Sequence, residues 1–232
     1  MPTTRLSGAR AGLHPQDLAK RLYEMRGTLG LCTAAVLVGI AGWWGYATWK
    51  EGREMAAQML LAEALASLEK EVDPSGGAQL PPGKGTGGLQ EALERLVRVR
   101  QEYPGSQAAE QSVLQTGNIS YHQGEYEKAL QAYQEYLGTY PSGASSVLAG
   151  LGRAYALEGL GRVEEAAAVF RTVAERHRES HLRAEALMGL GRSLARNGRG
   201  VEALETYRRI AEEYPGTPLA RRADELAALL AR

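Results

Sequence analysis

The stretch GNISYHQGEYEKALQAYQEYLGTYP, residues 117–141, decides the fold. It opens on a glycine, breaks at Gly124, and resumes with Ala129, Tyr133 and Tyr136 at intervals of four and three. That spacing puts one small and two large side chains on a single helical face. Pro141 closes the segment, because proline lacks an N–H and disfavours helical geometry in the residue before it. The stretch reads as helix, tight turn, helix.

Outward from it, the pattern repeats. Ala92, Ala129, Ala166 and Ala203 are each 37 residues apart. Four residues after each stands Leu96, Tyr133, Phe170 and Tyr207, and seven after stands Val99, Tyr136, Val173 and Ile210. Tyr103, Tyr140, His177 and Tyr214 precede Pro104, Pro141, Arg178 and Pro215. Five columns in register over four copies mark an internal repeat. Ser106, Ser180 and Thr217 stand where the next helix needs an N-cap, and Pro218 follows at a first-turn position. Upstream of three of the alanines lie Thr116-Gly117, Leu151-Gly152 and Leu190-Gly191, whose glycines let a neighbouring helix approach. Each of these upstream stretches ends at a glycine break: Gly124, Gly159 to Gly161, and Gly198 to Gly200.

At these residues the sequence resembles the tetratricopeptide repeat (TPR) family. The resemblance reads in Gly117–Gly124–Tyr126–Ala129–Tyr133–Pro141 and in Gly191–Gly198–Ala203–Tyr207–Pro215. It reads more loosely in Gly152–Tyr155–Gly161–Ala166–Phe170, where the copy lacks the proline and is aligned with a two-residue insertion near Gly161. The resemblance covers about residues 90–216 and implies an all-α solenoid of helix–turn–helix units that holds other proteins or peptides. In such stacks the first helix of each pair lines a concave groove, and the position after the glycine points into it. Carried over residue by residue, that position is Asn118, Arg153 and Arg192. The groove positions three and four further on are Tyr121 and His122, Ala156 and Leu157, Ala195 and Arg196. Three before the glycine stand Leu114, Ala149 and Met188. Arginine forks suit carboxylates, so the groove is expected to prefer an acidic segment or a chain terminus. The alternative is that these arginines solvate the surface and pair with neighbouring glutamates.

The rest of the chain is organised around this block. Of 232 residues, 27 are Lys or Arg and 27 are Asp or Glu. That balance argues against a general nucleic-acid binder, which needs a basic excess to displace counterions. A single cysteine excludes an intramolecular disulfide. The charge is uneven: residues 1–26 carry five basic and two acidic residues, residues 50–232 carry 22 and 25, and residues 27–49 carry none. As a helix, this charge-free run would span roughly 34 Å, enough for a hydrocarbon core of about 30 Å. Trp43, Trp44, Tyr46 and Trp49 gather at its C-terminal end, as at a membrane interface.

The run therefore reads as a transmembrane helix at 27–49, with 1–26 as a basic cytoplasmic tail. A buried soluble helix would have no reason to collect every tryptophan at one end. A signal peptide would have a shorter apolar core and a small-residue cleavage site. The basic flank places the N-terminus in the cytoplasm and the C-terminal domain, 50–232, across the membrane. Within that domain the units are expected at about 51–104, 107–141, 144–178 and 181–215. A Gly/Pro-rich loop at 72–89 interrupts the first, and a capping helix at 217–232 ends the stack. Gly39, Gly42 and Gly45 could form a helix–helix face and a homo-oligomer, although glycine is common in membrane helices anyway.

An anchor followed by such repeats also resembles a class of bacterial envelope proteins, the translocon-associated YfgM-like class, on architecture and on Gly42-Trp43 and Tyr46 to Trp49. That resemblance implies a single-pass anchor in a bacterial inner membrane with the repeats in the periplasm, and a tethered scaffold linked to protein translocation or envelope protein folding. The alternative is a structural, oligomerising subunit of an envelope complex in cell division or outer-membrane assembly.

Candidate chemistry dissolves. GAQLPPGKG (77–85) has the wrong spacing for a phosphate loop, lacks the Ser/Thr after the lysine, and follows no strand. His177, Glu179 and His181 are in the wrong order for a zinc protease motif and straddle a helix junction. Cys32, inside the apolar run, has no soluble base to serve it. No enzyme activity, cofactor or metal is expected.

Overall fold

The computed structural model describes residues 15–69 and 86–231, with the backbone alone at 15–22, 24–29, 31, 69, 86 and 87. The chain divides into two units, Met1–Gly52 and Arg53–Arg232. Helix α1 (Pro15–Glu69) supplies residues to both. Most of the expected basic tail (1–14), most of the 72–89 loop (72–85) and the whole GAQLPPGKG segment lie outside the described residues.

In the first unit, every residue from Cys32 to Lys50 is exposed except Ala47, which is half-buried. Val36, Leu37, Val38 and Ile40 are among the exposed side chains, as are Trp43, Trp44, Tyr46 and Trp49. Among the described residues no helix is long and apolar enough to cross a membrane. The charge-free run begins at Gly27, among residues described by backbone alone, so the transmembrane reading of 27–49 gains no support from the described side chains.

The second unit is all-helical, with no strand among its described residues. After the last part of α1 come α2 (Thr86–Glu102), α3 (Gln107–His122), α4 (Tyr126–Thr139) and α5 (Ser146–Gly159). They are followed by α6 (Val163–Arg176), α7 (Arg183–Arg196), α8 (Gly200–Glu213) and α9 (Pro218–Leu230). Consecutive helices pack as antiparallel pairs, and α3, α5, α7 and α9 also touch in series. This is a helical-repeat solenoid.

The alanine columns explain why it stacks. Ala92, Ala129, Ala166 and Ala203 are all 0% exposed, so the second helix of each pair meets its neighbours backbone to backbone there. Leu96, Phe170, Val99, Tyr136 and Ile210 are equally sealed, with Tyr133, Tyr207 and Val173 close behind. Each such side chain contributes about 1.5–3 kcal/mol of burial, so the repeated columns are the core. One cluster runs from α3 to α9, and a second joins Ala57, Leu61 and Ala64 of α1 to Leu96 and Val99 of α2.

Three expectations need correction. The third copy holds no insertion: Gly124, Gly161 and Gly198, with φ of +76°, +74° and +74°, end α3, α5 and α7 at an unbroken 37-residue interval. Only glycine adopts that backbone without strain, so these turns, not the Leu-Gly dipeptides, fix the register. Ser180 does not cap α7. The N-cap is Leu182 without a side-chain cap, and Ser180 Oγ instead accepts from Leu182 N at 3.2 Å. Ser106 and Thr217 do cap, accepting from Ala109 N at 3.0 Å and Ala220 N at 3.1 Å. Finally, α2 begins at Thr86, so residues 86–89 of the expected loop are helical. Leu89 packs against the second cluster, which draws the helix upstream of its first sealed anchor.

Candidate partner-binding site

With the register set by the turns, positions 37 apart on α3, α5 and α7 form rows along one face. Leu114, Leu151 and Met188 make one row, and Asn118, Tyr155 and Arg192 the next. Tyr121, Glu158 and Ala195 make the third. A groove of about 230 Å³ opens between α3 and α5, lined by Leu114, Asn118, Tyr121, Tyr133, Tyr155 and Glu185 among others.

Its walls are aromatic. Tyr121 lies with ring centroids 5.4 Å from Tyr126 and 6.5 Å from Tyr155, and Tyr155 meets Phe170 edge-on at 5.2 Å. Such rings present a rigid apolar surface with a polar tip. The tips are engaged: Tyr155 Oη donates to Glu185 Oε1 at 2.7 Å, and Tyr133 Oη donates to Asn118 Oδ1 at 2.9 Å. Burial pushes the Tyr133 hydroxyl up to about 12. It raises those of Tyr155 and Tyr121 as well, in Tyr155 with help from the Glu185 hydrogen bond. All three are therefore neutral donors at ordinary pH.

The close approach that shapes the groove rests on two glycines. A Cβ at Gly117 would come 2.7 Å from the Tyr133 ring and one at Gly152 would come 2.4 Å from it, so the ring packs against two bare backbones. Any larger side chain would displace it.

The cations are committed elsewhere. Arg192 donates from Nε and Nη2 to Glu158 Oε1 and Oε2 at 3.0 and 2.6 Å, and its guanidinium lies 5.7 Å from the Tyr155 ring centroid. Ser193 Oγ donates to the same carboxylate at 2.9 Å, and Arg196 Nη1 stands 3.9 Å from it. The Glu158 side chain is only 9% exposed. The bond to Glu158 holds the Arg192 guanidinium above its usual range. A bidentate, charge-assisted fork of this kind orders both side chains.

Of the residues singled out from sequence, Leu114, Asn118 and Tyr121 share the groove, and Arg192 and Arg196 meet at Glu158 on the same row of helices. Met188 is partly buried against the main core. Arg153 is not on this face. One repeat after Asn118 stands Tyr155, two residues further on, and Arg153 instead lines a cleft between α5 and α6. Its Nε is buried with no hydrogen-bond partner among the described residues. Ala149 is likewise replaced on its row by Leu151. Tyr155, Glu158 and Glu185 were the residues missed. Leu151-Gly152 mimics Leu190-Gly191 and drew the alignment two residues off, whereas the evenly spaced turn glycines carry the true register. No group of three or more His, Cys, Asp or Glu among the described residues is placed to hold a metal.

The tetratricopeptide repeat family matches residues 85–144 and 151–218, more than half of the chain. The chain belongs to the tetratricopeptide repeat family. TPR proteins mediate protein–protein interaction, and the fold is characteristically a non-catalytic scaffold. No curated protein sequence matches the chain. Among solved structures, it resembles a tetratricopeptide repeat protein from Parabacteroides merdae at a TM-score of 0.59 and 19% identity, covering 76% of this chain and 60% of that one. It therefore spans less than two thirds of that protein's length. A Podosopora anserina chain of nearly identical TPR-like repeats superposes at 0.58 and 16% identity, over 75% of this chain and 85% of that one. A structure described as MamA AMB-1 superposes at 0.51 and 14% identity, over 78% of this chain and 81% of that one. At such identities these likenesses bear on the TPR fold alone.

Proposed function

We propose that the protein is a membrane-tethered interaction scaffold whose TPR groove holds a segment of a partner protein. The observation that carries the binding half is the tyrosine-walled groove on α3 and α5, with rigid aromatic walls and a short list of fixed donors and acceptors around them. Rings of this kind bury area at little entropic cost, which suits recognition of a peptide. Arg192 and Arg196 already face Glu158, so this groove is close to charge-balanced and suits apolar and hydrogen-bonding side chains.

The tethering half rests on the charge-free run 27–49, on the three tryptophans and Tyr46 at its end, and on apolar side chains exposed on every side of α1 from Val36 to Trp49. Contiguous apolar surface of that extent is rare on a protein surrounded by water. In this reading the N-terminus is cytoplasmic, the repeats are periplasmic, and the anchor lies in a bacterial inner membrane. Tethering then raises the local concentration of whatever the groove holds. A place beside the translocation channel or among envelope folding factors, as in the YfgM-like class, fits that geometry.

The second reading is an oligomerising subunit of an envelope complex. It draws on Gly39, Gly42 and Gly45, where an added Cβ would meet nothing within 4 Å. A compartment reporter fused after Arg232 tests the tether: a periplasmic signal is expected, and a cytoplasmic one overturns the orientation and the envelope role together. Gly39→Leu is expected to leave the hydrodynamic size unchanged; dispersal of a larger species would favour the oligomeric reading instead.

A further inference from the structure

The cleft between α5 and α6 is chemically unlike the groove on the inner face. It has a volume of about 210 Å³ and is lined by Arg153, Arg176 and His177, with Ser146 and apolar walls that include Leu137 and Val173. No acid stands among its lining residues. The Nε of Arg153 is out of water and unpartnered among the described residues. The acid whose carboxyl feels Arg153, Glu165, is already gripped by Arg162 through bonds of 2.7 and 2.6 Å. A single water, at ~30 Å³ of liquid volume, would leave most of this cleft empty.

The chain itself shows what this place in the repeat is built to hold. One repeat on, Ser146 becomes Arg183, Arg176 becomes Glu213, His177 becomes Tyr214 and Arg153 becomes Leu190. There Arg183 folds inward: its Nε donates to the carbonyl of Ala174 at 3.0 Å, its guanidinium pairs with Glu213, and Nη1 donates to Tyr214 Oη at 3.1 Å. The fourth repeat thus fills one end of the equivalent cleft with its own arginine plug and counter-charge; the rest, about 240 Å³, is lined by Glu175, Glu202 and Glu205 beside Arg171 and Arg209. In the third the plug has shrunk to a serine and the carboxylate has become a guanidinium. The pocket is open, cationic and short of one carboxylate. The positive end of the α5 dipole, at Ser146, adds to the same sign.

We propose that the α5–α6 cleft is a second docking site, which takes the carboxylate of a Glu or Asp side chain of a partner polypeptide against Arg153 and Arg176. The aliphatic stem of a glutamate would lie on Leu137 and Val173. The site rests on the reading of the chain as an interaction scaffold, and is separate from the tyrosine groove.

The test uses the full chain in detergent micelles, with the His177 ring resonances assigned by comparison with His177→Gln. The probes are acetyl-Leu-Glu-Leu-amide, its Gln counterpart and inorganic phosphate. Saturable movement of the His177 resonances by the Glu peptide and none by the Gln peptide is expected. Arg153→Leu, the residue the chain already places at Leu190, should weaken that binding on the order of tenfold, the loss of one charge-assisted contact, without lowering the thermal midpoint. Tyr121→Ala, on the inner groove and outside the cleft lining, should leave it unchanged, so failure of the groove and failure of the cleft are told apart. Equal binding of both peptides, full binding by Arg153→Leu, or no saturable movement would overturn the proposal. Movement by phosphate alone would overturn it in favour of a free-anion site.

Discussion

The third and fourth repeats share a backbone and differ in what they do with it. Helices α6 and α8 begin one repeat apart and end one repeat apart, and the turns before them hold glycines at the same φ. Yet the fourth pairs Arg183 with Glu213 beside its second helix and lines its cleft of about 240 Å³ with Glu175, Glu202 and Glu205, while the third leaves Arg153 in a cleft without an acid. On the inner face the roles shift again: Tyr155 stands where the fourth repeat has Arg192. The columns that make the core are constrained by volume, so they repeat. Positions between the columns touch only neighbours or solvent, and they are free to carry recognition.

The comparison can be broken most severely at the glycines that admit the rings. Gly152 and Gly189 occupy the same column and abut Tyr133 and Phe170, each with a virtual Cβ contact of 2.4 Å. Gly152→Leu should lose about 2–3 kcal/mol by overpacking, even after the ~0.8 kcal/mol that leaving glycine gains a helix interior. Gly189→Leu should lose as much, which thermal melts of the two variants would check. A loss confined to one of them would show that the repeats do not share the packing rule.

Exchanging the plug is the next test. Arg183→Ser gives the fourth repeat the third's residue and leaves Glu213 with Arg209 alone, at an expected cost of about 2 kcal/mol. The effect has a pH signature. The hydrogen bond from Arg183 holds the Glu213 carboxyl below its ordinary range. That stabilisation is present above the ordinary carboxylate range and is lost as pH falls through the lower folded value. The gap in stability between wild type and Arg183→Ser should therefore narrow as the pH is taken into that acid range. A gap constant down to strong acid would assign the cost to packing.

The smallest effect is the reverse exchange. Arg153→Leu removes a guanidinium whose Nε finds no partner among the described residues, and should leave stability unchanged or raise it by up to ~1 kcal/mol. A clear loss in a chemical denaturation series would mean that Arg153 is structurally engaged and that the two repeats are alike after all.

How much of this was legible in the sequence follows from the same division. Ala129, Tyr133 and Tyr136 and their counterparts gave the helical repeat directly, because a buried face must recur with the backbone that forms it. The register of the groove was harder. Leu151-Gly152 and Leu190-Gly191 look alike, but one glycine seats the ring of the preceding repeat and the other the ring of its own. Only the turn glycines, which answer to backbone geometry alone, keep true spacing. Pairing of the arginines with glutamates was the alternative the sequence offered, and Arg192 takes it; which glutamate was out of reach, since Glu158 and Arg192 lie 34 residues apart and meet through stacking. The same holds for Arg183, an exposed-looking residue that is buried because Glu213 and the Ala174 carbonyl receive it.

The most direct test of the account is site-specific photo-crosslinking in living cells, with the reactive residue placed in turn at Tyr121, at Tyr155 and at Val201, which is exposed on α8. The account predicts one shared adduct from Tyr121 and Tyr155 and none from Val201. The same adduct from Val201, or adducts whose mass is only that of a second copy of the chain, would contradict it.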